Sequence, residues 1–105
     1  MIESFIKTYI EPVSGKGAAR SMLTAIINLY RSTNSSGQET TTIYNHLVFM
    51  CMGIDIDAEK KGVNSSERHS NMMFSFVDLT NNIINKEPAI DREIGDLIFK
   101  GIFGD

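Results

Sequence analysis

At 105 residues, with 42% apolar and 22% charged side chains, the chain can close one hydrophobic core without disulfides or metals and is too short for a second. It holds no apolar run near the roughly 18 residues that a spanning helix needs, and a net charge of −3 is too small for the global field to draw a polyanion. A single cysteine, Cys51, cannot bridge internally, and the opening MIESFIKTYI has no basic leader or small-residue cleavage site, so a cytoplasmic, intracellular chain with no membrane partner is expected.

In chain order, Ile2, Phe5, Ile6, Tyr9 and Ile10 form a helical stripe with Glu3, Lys7 and Glu11 outside it. Pro12 lacks an amide donor and disfavours helical geometry at Glu11, so the first helix is expected to end there, with a turn from Val13 to Gly17. Ala18, Met22, Ala25, Ile26, Leu29 and Tyr30 make a second stripe, which Ala19, Leu23 and Ile27 widen into an arc that should touch more than one neighbour. Thr33 to Gln38, TNSSGQ, reads as a loop.

Thr40 to Gly53 is rich in β-branched and aromatic residues but lacks a two-residue alternation, and it is read as helix rather than strand. Ile43, Tyr44, Leu47, Met50 and Cys51 share one side of it, and Val48, Phe49 and Met52 carry apolar surface almost all round, the pattern of a central or interface helix. Asp55 to Gly62 is either a short helix or a loop. Asn64 to Lys86 is the principal amphipathic helix: Met72, Met73, Phe76, Val77, Leu79, Ile83 and Ile84 recur at helical spacing, and Asn64 with Glu67 makes an approximate capping box. Pro88 permits a last start, followed by Ile90, Ile94, Leu97, Ile98 and Ile102, with Asp91 and Glu93 near the positive end of the helix. Gly95 and Gly101 weaken that helix by about 1 kcal/mol each; they either permit close helix approach or let the end fray.

Candidate chemistry is sparse. Ser14-Gly15-Lys16-Gly17 before a helix carrying Arg20 has the ingredients of an anion turn, without the spacing of a phosphate-binding loop. His46, Cys51 and His69 lack metal-ligand spacing, and Asp55, Asp57 and Glu59 lack the glycine and distal glutamate of a calcium loop, so a solvated acidic turn and a solvated His69 are expected. Apolar neighbours should raise the Cys51 thiol pKa, and no histidine lies one turn away to activate it. No catalytic residue, cofactor or metal is therefore expected.

Two partner classes remain. Phe49, Met52, Phe74, Phe99 and Phe103 fall outside the tightest core arcs of their helices and are the expected protein-binding residues. Lys16, Arg20 and Arg31 are the only charges between Pro12 and Gln38, and Arg20 and Arg31 share one side with Thr24 and Asn28, a modest basic face for an anion or nucleic acid. That face could instead meet the acidic segment from Glu87 onward, within the fold or across a dimer. The loop after this helix is too long, and the next helix too apolar, for helix-turn-helix recognition.

The expectation is an all-α, single-domain bundle of four or five helices over residues 1–105, with the Thr40–Gly53 and Asn64–Lys86 helices at its centre. Its expected function is non-enzymatic: a small inhibitor, immunity factor or adaptor of microbial or phage type, occluding a partner protein's surface and forming a homo-oligomer. The alternative is a small nucleic-acid-binding regulator.

Overall fold

Pro12 does not end the first helix; the break comes three residues later, at Gly15. In the computed structural model, which describes residues 1–100, the chain is helical from α1 (Ile2–Phe5) through a π-helical segment (Ile6–Ile10) into α2 (Glu11–Ser32), with Pro12 in the first turn of α2. Pro12 lies where the π-helical segment passes into α2, and the chain stays helical through it. Gly15 sits at φ 85°, ψ −179°, a conformation essentially reserved for glycine, and it breaks the helix axis inside α2.

The distorted stretch exposes carbonyls that the other helices satisfy. Arg68 Nη2 donates to the Tyr9 carbonyl at 3.0 Å, Lys61 Nζ donates to the Val13 carbonyl, and the Ser14 hydroxyl donates to Asp57 at 2.6 Å. Asp55, Asp57 and Glu59 are thus no solvated turn. Asp55 pairs with Arg68 at 3.1 Å and lies 2.6 Å from Nδ1 of His69, which is exposed in the first turn of its helix as expected.

Beyond the polar corner at Thr33–Ser36, α3 runs from Gly37 to Lys60. Ser36 caps it by accepting the Glu39 amide, and Thr40 Oγ1 ties back to the Ser32 carbonyl at 2.9 Å. The segment of uncertain type is therefore helix, and it does not stop at Gly53. Leu47, Cys51, Ile54 and Ala58 form one buried line, so Asp55–Lys60 continues the same helix. Gly62, at φ 71°, ends it, with the Val63 amide on the Ala58 carbonyl and the Gly62 amide on the Glu59 carbonyl.

Helix α4 (Ser66–Ile84) is capped by Ser65, which accepts the Arg68 amide at 3.0 Å, rather than by Asn64, whose side chain turns to Glu59. It buries Met72, Phe76, Leu79 and Ile83, while Val77 and Ile84, expected on the same stripe, are exposed shoulders. Its end repeats the α3 terminus with Lys86 at φ 55° in place of glycine. That costly geometry is offset by Lys86 Nζ, which donates to the Tyr30 carbonyl at 3.0 Å and lies 3.6 Å above the Tyr30 ring. Pro88 opens α5 (Pro88–Phe99), which buries Ile90, Ile94 and Leu97 and exposes Ile98. A Cβ at Gly95 would meet nothing within 4 Å, so this glycine marks no close helix approach. Gly101 and Ile102 lie outside the described residues.

The described residues are all-α, with no strand. Helix α2 is central: it packs on α3, on the π-helical segment and on α4, while α4 also meets α1 and α5. Phe76, fully buried, joins α1 to α3 through ring centroids 6.3 Å from Phe5 and 5.7 Å from Tyr44. The expected centre is therefore half right: α4 supplies the largest core side chain, but α3 is lateral, with a single buried line and an exposed back.

Candidate functional site

That exposed back is the first candidate surface. Phe49, 68% exposed, and Ile56, 57% exposed, lie opposite the buried line of α3, with Met52, 52% exposed, towards the α4 side. On α4, Phe74 points directly away from the core at 78% exposure, followed by Val77 and Ile84 at helical spacing. Val77 and Ile84 share a shallow groove of about 270 Å³ with Thr40, Thr41 and Tyr44, where α3 and α4 adjoin. Ionisable side chains are nearly absent: Thr40 to Ile54 holds no Asp, Glu, Lys or Arg, and Ser70 to Asn85 holds only Asp78.

Three of the expected protein-binding residues, Phe49, Met52 and Phe74, thus lie on this pair of helices. Phe99, 91% exposed, ends α5 instead, and Phe103 lies outside the described residues. Ile56, Val77 and Ile84 are exposed on the same pair of helices as Phe49 and Phe74; the sequence places Val77 and Ile84 on the buried stripe and does not single out Ile56. Their signal was spacing from Phe49 and Phe74: seven residues to Ile56, and three and ten to Val77 and Ile84.

The second surface is an open groove of about 800 Å³ between α2 and α3. Arg20, Thr24, Asn28 and Arg31 of α2 line it, as the shared side of that helix predicts, and α3 contributes Glu39, Ile43 and His46. Among the described residues neither arginine forms an ion pair, and neither pairs with the acidic residues of α5. Lys16 is exposed beside the Gly15 break and does not line the groove. The anion turn is also pre-empted, because the Asp57 carboxylate already holds Ser14.

A histidine meets a carboxylate at His69 and Asp55, 2.6 Å apart beside Arg68; the other candidate groups stand apart among the described residues. Cys51 is buried, and burial, reinforced by the charge of Asp55, pushes its thiol up to about 12, where it is neither nucleophile nor ligand. Glu39 and His46 stand two turns apart on one helix, about 10 Å along its axis, too far to act as a base and its orienting partner. Among the described residues no three His, Cys, Asp or Glu side chains gather to hold a metal ion, and no helix is long and apolar enough to cross a membrane. Neither family models, nor curated proteins, nor solved structures contain a match to this chain.

Proposed function

We propose that this is a non-enzymatic interaction protein of the inhibitor or adaptor type, which occludes a partner surface and associates with itself through the outer face of α3 and α4. One observation carries the reading: Phe74 and Phe49 stand 78% and 68% exposed on neighbouring helices, within the stretches Thr40–Ile54 and Ser70–Asn85 where Asp78 is the single Asp, Glu, Lys or Arg. Interface centres are depleted of ionisable side chains and enriched in Phe and Met, whereas solvent-facing helices normally carry Lys and Glu. Few charges near Phe49 and Phe74 also suit a two-fold contact, in which each patch meets its own image and like charges would repel. The reading places the protein in the cytoplasm, in keeping with its single reduced thiol.

Sedimentation equilibrium of the wild type and of Phe74→Asp tests it. The expected result is a dimer or larger assembly for the wild type and a shift to monomer for the variant, with helicity by circular dichroism unchanged. A wild-type chain that stays monomeric at high protein concentration, or a variant of undiminished mass, would remove the interface from this face.

A further inference from the structure

The α2–α3 groove is built differently from the apolar face and calls for a different occupant. Arg20 and Arg31 are eleven residues apart on α2, so they recur within about 20° of each other and about 16 Å apart along the axis. Lys61, Arg68 and Lys86 each hold a backbone carbonyl, whereas Lys16, Lys60 and Arg92, like the two groove arginines, form no ion pair among the described residues. The two groove arginines stand exposed and form no ion pair among the described residues, with Glu39 on the opposite wall and a floor that includes Ala25 and the half-buried Ile43.

A ligand that lies along the groove and meets both arginines spans about 16 Å and is elongated. A nucleic-acid strand fits poorly: it carries a phosphate about every 3.4 Å when stacked, which sets charge against Glu39 as well as against the arginines. Stacking partners for bases are few, because the lining residues include no Phe, Tyr or Trp and a single ring, that of His46. A helix has sparser charge and the same rise as α2, so carboxylates eleven residues apart on it fall opposite Arg20 and Arg31. Between them its small apolar side chains meet Ala25 and Ile43.

We infer that the α2–α3 groove receives an acidic amphipathic helix of a partner protein, held at its two ends by Arg20 and Arg31. This extends the protein-binding reading to a second surface. The test uses the whole chain and a fluorescein-labelled, alanine-rich helical peptide of about 18 residues with leucines on one face and glutamates eleven residues apart. The comparison probes are the same peptide with both glutamates changed to glutamine, and a labelled thymidine oligonucleotide of similar length.

At low salt the glutamate peptide is expected to bind at least tenfold more tightly than the glutamine peptide, and to shift the amide resonances of Thr24, Asn28 and His46. Arg20→Gln with Arg31→Gln should abolish the preference, while Phe74→Asp should leave it intact whatever that variant does to self-association. Equal binding of the two peptides, a preference that survives loss of both arginines, or tighter binding of the oligonucleotide would overturn the inference, the last in favour of nucleic acid.

Discussion

The carboxylate of Glu93, in the middle of α5, accepts the backbone amide of Ile2 at 2.7 Å, and its second oxygen lies 3.3 Å from the amide of Glu3. Helix α1 has no side-chain cap of its own, so a residue 91 positions away in sequence performs that role. The contact is electrostatically apt, because a helix start carries unpaired amides and partial positive charge. It also closes the fold, fastening its first helix to its last.

Glu93→Ala is therefore expected to lower stability by about 1 kcal/mol, within the range for loss of a helix cap, while Glu93→Gln keeps an acceptor and loses less. Urea denaturation followed by circular dichroism measures both. Equal stability of Glu93→Ala and wild type would show that the amides of Ile2 and Glu3 are as well satisfied by water.

Two glycines with equally open surroundings should respond oppositely to the same change. A Cβ at Gly15 or at Gly95 meets nothing within 4 Å, so packing does not distinguish them; backbone geometry does. Gly15→Ala forces an L-residue into the left-handed break and should destabilise by about 1–3 kcal/mol. Gly95 lies inside α5, where Ala should stabilise by about 0.5–1 kcal/mol by restricting the unfolded chain. Thermal melts of the two variants should move in opposite directions from wild type.

The Gly15 break illustrates what was and was not readable before the fold was known. Within single helices periodicity worked: Met72, Phe76, Leu79 and Ile83 of α4, and Ile90, Ile94 and Leu97 of α5, are buried as their spacing predicts. Boundaries failed where two residues of one type competed. Asn64 and Ser65 can each cap, and the choice rests on which side chain reaches the amide three residues on. Pro12 and Gly15 can each interrupt a helix, but only Gly15 permits the geometry that bends this one. The width of the apolar arc at α3 left a central and an interface position open, since surface that faces solvent looks identical, in one dimension, to surface that faces a neighbour. For the same reason the shared side of Arg20 and Arg31 was visible, whereas Glu39 and His46 on the opposite wall became part of the groove only through the pairing of α2 with α3.

Cys51 gives a prediction with a definite pH window. Burial keeps the folded thiol protonated to about pH 12, while in the unfolded chain it ionises near its ordinary value of 9.0. Between those values the folded state binds the extra proton, so the contribution of this group to stability is complete below about pH 9 and is lost as the pH climbs towards 12. Replacing the thiol by a side chain that does not titrate, as in Cys51→Ala, should lower stability at neutral pH by leaving a small cavity and flatten its decline above pH 9 relative to wild type. Iodoacetamide near neutral pH supplies the kinetic counterpart. With the sulfur at 0% exposure, labelling should follow the rate at which the core opens and accelerate sharply once urea unfolds the chain. Modification of the native protein at the speed of a free thiol would mean that the line Leu47–Cys51–Ile54 is not closed against α2, and the lateral position assigned to α3 would fall with it.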